Sequence, residues 1–413
     1  MKKSFLISIF LVSILYLSLR LYKLPQKMTF HLDQGLHLLE TYNMVKNKKP
    51  RLIGPMVSSK TFDGRGFFIG PNYYYILATL GIISNWNPVT ILVLLIIIEL
   101  SFYILFAIFL KNKTNTVISI SVFLYLSTSS YLITHSRFFW NPHFLIPLAI
   151  LELIFFDKYL KSKKLIYLFL IGTIFGIAFS FHYSVLLWSI PLIIILHKNN
   201  ILKIKHLLII FISFLLGNLP FWVFEFRNSF YNLKTIFFVF NQSNKGSDIS
   251  IYYFIFPFLI PFLYFYSLFL NKFYSKKILL NLLILIPLLF NLLFLIKNKT
   301  QTPQGHPKDW TYLIQQKVVS EILKDDCPLD YNVASTITGN TISYDLRYLL
   351  TTKKCPPMAI EDYPKSKILF LIASKNRPPQ TETVWEVKSM QPFEIVSSTQ
   401  LTDDYLLHKL KRI

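Results

Sequence analysis

Apolar runs close to the ~20 residues that cross a bilayer recur along this chain and constrain its fold more than any other feature. They lie at roughly 4–22, 88–110, 116–134, 142–157, 165–181, 183–196, 206–224, 251–270 and 278–296. Only 15% of the residues are charged, against about 25% in soluble domains. The net charge of +22 does not point to nucleic acid. The basic residues sit mostly in short loops between apolar runs, which is a topology signal of a membrane protein.

Four of those loops are lysine-rich: "KNKTN" (111–115), "DKYLKSKK" (157–164), "HKNNILKIKH" (197–206) and "NKFYSKK" (271–277). The chain begins with Lys2, Lys3 and an apolar stretch without a small-residue cleavage site, so it reads as an uncleaved first span. With that end in the cytoplasm, all four loops are cytoplasmic only if 71–84 does not span. That stretch, "PNYYYILATLGIIS", suits an interfacial helix. The expectation is an α-helical polytopic membrane protein with about nine transmembrane helices plus interfacial helices, read from charge asymmetry.

From about 298 the apolar runs shorten. The segment 309–326 has helical periodicity, while 331–338, 367–374 and 383–390 read as strands. The expected division is 1–297, carrying the first external loop 23–87, and a small extracytoplasmic α/β domain, 298–413. Cys327 and Cys355 both fall in that domain, where oxidation is permitted. A disulfide and two free thiols both stay open.

This topology gathers ionisable and polar residues on the outer face: Asp33, His37, Glu40, Asp63, Arg65, Arg137, Asn141, His143, His182, Glu225 and Arg227. Such one-sided gathering suggests a site. Asp33 in "TFHLDQGLHLL" (29–39) follows the first span directly, with His37 one helical turn on. A carboxylate there suits a general base, a metal ligand or a structural cap. Arg137 suits a phosphate, since a guanidinium grips two oxygens, or anchors a span at the headgroups. Glu225 and Arg227, two apart, do not face each other on a regular helix and read as structural. "FDGRGF" around Asp63 and Arg65 reads as a turn. Glu99 and Glu152 fall inside apolar runs, and Glu99 has no explanation in the sequence.

The order "DQG" (33–35), "LIGP" (52–55) and "GRGFFIGPNYYY" (64–75) after a first span resembles the C-type-fold membrane glycosyltransferases. The resemblance is closest to bacterial relatives of protein O-mannosyltransferases and aminoarabinose transferases. It also takes in "SRFFWNP" (136–142), "FHYS" (181–184) and "FEFR" (224–227), and covers the order of elements over about 1–300. The family's acidic motif is often Asp-Glu; here it is Asp33–Gln34.

The resemblance implies a C-type glycosyltransferase-like fold and a polyprenyl-phosphate sugar donor. The acceptor would be a lipid, glycan or protein on the extracytoplasmic face of the plasma (inner) membrane. It implies Asp33 as catalytic base and Arg137, then Arg65 and Arg227, as donor-phosphate ligands. Gln34, His37, Tyr74, Asn141, His182 and Glu225 would bind or support substrate. Gln34 in place of a second acid argues against an obligatory metal; a divalent cation stays open. Membrane lipids are the other expected partners. A lipid-linked sugar flippase and a non-catalytic polymer-binding protein are the alternatives. The flippase predicts broken helices and an internal repeat, and neither is evident in the sequence.

Overall fold

A computed structural model describes residues 3–58, 65–189, 203–242, 252–297, 305–324 and 327–413. Its first part is helical: α1 (Lys3–Leu21), α2 (Leu32–Lys46), α3 (Asn72–Ile83), α4 (Pro88–Lys113), α5 (Thr116–Thr128), α6 (Leu145–Ser162) and α7 (Leu165–Phe181). After 203 come α8 (Ile204–Gly217), α9 (Leu219–Arg227), α10 (Tyr231–Gln242), α11 (Tyr252–Lys272) and α12 (Lys277–Lys297).

Among the described residues, α1 and α4 are long and apolar enough to cross a membrane. The pair α8 and α9 makes a third span only if a bend of 84° at 217–219 is taken within one crossing. Of the expected nine spans, two or three therefore meet the length and composition needed among the described residues. The apolar runs are interrupted in ways that hydropathy does not register. Run 116–134 divides at Ser129 into α5 and a short helix, Ser130–His135. Run 142–157 opens as a 3-10 turn, Asn141–Phe144, before α6. Run 206–224 breaks after Gly217. Most of run 183–196 lies outside the described residues, after the 3-10 turn Tyr183–Trp188.

α4 shows how the sequence sets its ends. Asn87 caps it, its side chain accepting from the N–H groups of Val89 and Thr90, with Pro88 in the first turn. Lys111 and Lys113 fall in its last turn, where cations suit the helix dipole. Lys113 and Lys161 hold Asp157 between them at that end. The "GTIFG" of α7 lets α8 approach closely: a Cβ on Gly176 would meet the carbonyl oxygen of Phe214 at 2.1 Å.

Glu99 gains an explanation only in three dimensions. The phenols of Tyr16 and Tyr103 each donate to its carboxylate at 2.6 Å. The buried Arg20 lies 3.8 Å from it and stacks on the Tyr16 ring. The Arg20 guanidinium also donates to the carbonyls of Ser127 (2.8 Å) and Leu126 (3.2 Å). Glu152 stays unexplained: one carboxylate oxygen is enclosed without a partner among the described residues.

The C-terminal domain is a four-stranded sheet with helices. β1 (Met56–Ser58) and β2 (Phe67–Phe68) form a small hairpin in the first loop. The domain contributes β3 (Tyr331–Ser335), β4 (Ile368–Ser374), β5 (Phe393–Gln400) and β6 (Tyr405–Arg412), in spatial order 3-4-6-5. β3 and β4 are parallel and the other pairings antiparallel. α13 (Tyr312–Leu323) and α14 (Tyr344–Thr352) complete it. The helix and two of the strands fall as the sequence suggests. The segment 383–390 does not form a strand: it carries the one-turn helix Trp385–Lys388. The hairpin of β5 and β6 was not anticipated. Cys327 and Cys355 are disulfide-bonded.

The domain is seated on the first loop, with a core shared between the two parts. Phe30 sits among Phe139, Tyr312 and Tyr348. Its N–H donates to His306 Nε2 at 3.2 Å, and its carbonyl accepts from Gln315 Nε2 at 2.7 Å.

Candidate functional site

α2 starts with a capping box: the His31 side chain accepts from the N–H of Gln34, whose side chain accepts from the N–H of His31. This fixes Asp33 in the first turn, where the dipole favours an anion. Asp33, His37 and Glu40 then follow at i, i+4 and i+7, close to one face. α3 packs against α2, and its first turn presents Tyr73 and Tyr74 to His37, with ring centroids at 5.4 and 5.9 Å.

The start of α3 is fixed from several sides. The N–H of Asn72 donates to Ser180 Oγ at 3.1 Å, and Asn72 Nδ2 donates to the carbonyl of Gly217 at 3.0 Å. The bend between α8 and α9 thus gives a freed carbonyl to the helix that carries Tyr73 and Tyr74. The Tyr74 phenol donates to Glu40, which also pairs with Arg51 at 3.1 Å. The Tyr75 phenol holds the carbonyl of Arg51 at 2.6 Å.

The electrostatics of this seam follow from burial. Asp33 remains open to solvent, yet enough protein surrounds it to raise its carboxyl above the usual range. Burial lowers the His37 imidazole to about 3, so it is neutral at pH 7. Burial, and next the charge of Asp33, push the Tyr73 phenol well up; burial does the same for Tyr74, with Glu40 adding to it. Two polar atoms here are enclosed with no partner among the described residues: Tyr73 Oη and His37 Nδ1.

Beside it lies a small apolar crevice of about 50 Å³, lined in part by Glu99, His135, Phe139, Trp140, His143 and Phe144. Its walls reach the seam: Phe144 packs on Tyr73 at 5.9 Å, and Gln34 Nε2 donates to the carbonyl of Phe139 at 3.4 Å. His135 Nδ1 and His143 Nε2 are 3.2 Å apart.

Arg137 belongs to the same junction. Its carbonyl accepts from the N–H of Thr29 at 3.0 Å. Its guanidinium donates to the carbonyl of Leu19 at 2.7 Å, and Nε is enclosed without a partner among the described residues. Burial, and next the charge of Arg20, lower it to about 10. Lys27 is lowered by burial, then by Arg137 and Lys23. No hydrogen bond or ion pair joins Arg137 to Asp33 among the described residues.

The remaining candidates divide by position. Asn141 Nδ2 donates to the carbonyl of Phe181 at 2.6 Å, tying the 136–142 segment to the end of α7. His182 caps the 3-10 turn Tyr183–Trp188, accepting from the N–H of Ser184 at 3.1 Å. Glu225 is fully buried and accepts from the N–H groups of Asn232 (3.2 Å) and Leu233 (3.0 Å) and from Asn232 Nδ2 (2.8 Å). It thus caps α10, the structural use its sequence position suggests. Arg65 and Arg227 are exposed. Asp63 lies outside the described residues. Sequence reasoning gave no role to Arg51, Arg20 or Lys27. Arg51 directly precedes the quoted "LIGP" segment, yet its pairing with Glu40 depends on how the first loop folds back.

Among the described residues no group of three His, Cys, Asp or Glu side chains is placed to hold a metal ion. No family model, curated protein or solved structure matches the chain.

Proposed function

We propose that this chain is a membrane glycosyltransferase that moves a sugar from a polyprenyl-phosphate donor to a glycan, lipid or protein acceptor outside the cytoplasm. The observation that carries the reading is Asp33: an accessible carboxyl, raised by its surroundings, beside a crevice of apolar side chains. Asp33 acts as general base on the acceptor hydroxyl. Arg137, with Lys27 near it, offers positive charge to the leaving phosphate. The apolar lining at Phe139 and Phe144 offers a surface to the first carbons of a lipid chain. In this reading the N-terminus is cytoplasmic, the chain lies in the plasma membrane with about nine crossings, and the first loop and C-terminal domain face outward.

The test is Asp33→Asn in cells otherwise lacking the gene, with envelope glycans and glycoproteins followed by mass spectrometry at matched protein level. Loss of the gene-dependent glycan with normal folding is the expected result. Unchanged transfer overturns the reading.

A second reading is translocation of the lipid-linked sugar. The 84° break between α8 and α9 and the buried Arg20–Glu99 pair favour it, since both are features of transport proteins. It predicts that lipid-sugar translocation survives Asp33→Asn.

A further inference from the structure

We propose that Tyr73 is a substrate-binding residue at the reacting centre, giving its phenolic hydrogen to an oxygen of the donor's sugar–phosphate head. The inference rests on the glycosyltransferase reading and extends it to a residue that neither sequence pattern nor resemblance selects over its neighbours.

Three observations carry it. First, the tyrosines of α3 have different fates. The phenols of Tyr74 and Tyr75 are taken up by Glu40 and the carbonyl of Arg51. Tyr73 Oη, on a side chain with no exposed surface, has no partner among the described residues. Buried hydroxyls normally find one, and the exceptions mark places where something else completes the bond. Second, burial, and next the charge of Asp33, hold the phenol protonated as a donor, and its ring packs against His37, on the same face of α2 as Asp33. Third, the Tyr73 ring touches Phe144, a wall of the apolar crevice. Tyr73 therefore stands between the two halves of the proposed site, the acceptor side at Asp33 and the lipid side at the crevice. His37 Nδ1, equally without a partner, adds a second polar atom to the same corner.

The step balances without further reagents. The acceptor oxygen forms a bond to the sugar carbon, and its proton passes to Asp33. The bond from that carbon to the phosphate oxygen breaks, and the electron pair leaves with the phosphate. Tyr73 keeps its proton throughout and only holds an oxygen of the head in line.

The experiment compares wild type, Tyr73→Phe and Asp33→Asn in cells lacking the chromosomal copy. Gene-dependent envelope glycans are read by mass spectrometry, and the purified full chain is melted in detergent. Tyr73→Phe is expected to lower transfer tenfold or more, while its melting temperature stays level or rises because an unpartnered hydroxyl has gone. Wild-type transfer by Tyr73→Phe beside an inactive Asp33→Asn overturns the role of the phenol. A fall in melting temperature for Tyr73→Phe overturns it too, because the hydroxyl then has a structural partner. Normal transfer by Asp33→Asn overturns the underlying enzyme reading instead, so the two failures are distinguishable.

Discussion

Gly35, two residues after the candidate base, lies against the backbone of Asp345: a Cβ on the glycine would stand 2.3 Å from the Asp345 nitrogen. The C-terminal domain thus rests directly on the turn of α2 that carries Asp33. The neighbouring bonds from Gln315 to the Phe30 carbonyl (2.7 Å) and to the Asp345 carboxylate (2.9 Å) hold the same contact.

Gly35→Ala therefore reverses the ordinary sign of a glycine-to-alanine change in a helix. An exposed helical glycine gains roughly 1 kcal/mol from alanine. Here overpacking against backbone costs about 2 kcal/mol or more. A lower melting temperature and faster proteolysis between the two parts are expected. A melting temperature at or above wild type would count against the seating described.

The buried Asp345 makes stability depend on pH. Burial raises its carboxyl to about 7, well above an unfolded aspartate near 3.9. Between those values the folded chain holds the extra proton, so this group's contribution is full below about pH 4 and fades as pH rises through 7. His37, lowered to about 3, works in the opposite direction, losing stability as pH falls below about 6.5. The difference between wild type and Asp345→Asn isolates the aspartate. Melting curves from pH 4 to 8 should show that difference changing steadily up to 7; a flat difference would refute it.

Glu99→Gln removes the charge facing the buried Arg20 and alters the acceptor for two phenols. Breaking a buried pair from one side costs roughly 3 kcal/mol. Detergent-solubilised protein should lose its monodisperse chromatographic peak at a lower temperature than wild type. Equal thermal retention would show that the carbonyls of Leu126 and Ser127 suffice for Arg20.

The disulfide closes a separation of 28 residues. Chain-entropy reasoning gives about 3 kcal/mol for a loop of that order. Cys355→Ser should destabilise the C-terminal domain by that amount, and reductant should do the same to wild type. A domain indifferent to both treatments would overturn the estimate.

Some of the fold is legible because it depends on local chemistry. The helix after the first span forms where Asp33 and His37 are spaced by four residues. The parallel strands β3 and β4 appear as short apolar runs. The one-turn helix Trp385–Lys388 was misread because an alternating pattern over so few residues fits either state. Fewer helices than apolar runs are long enough to span, because hydropathy registers apolar length but not a break at Ser129 or a bend after Gly217. Asp33 and His37 lie near one face of α2, as their spacing of four suggests; that Tyr74 packs on His37 is decided by the docking of α3. Glu225 and His182 do not join them, since each is engaged by backbone N–H groups that no sequence spacing reveals.

By itself the sequence determined the mostly helical, apolar character of the chain, two of its long apolar helices, and the helix and two strands of the small C-terminal sheet domain. These follow from composition and periodicity, which act between residues near one another in the chain. Only the tertiary structure decided that Glu99 meets Arg20, that the C-terminal domain grips α2, and that Tyr73 alone among its neighbours keeps an unanswered hydroxyl. Those facts depend on which distant surfaces meet, and on whether a buried polar atom finds a partner there.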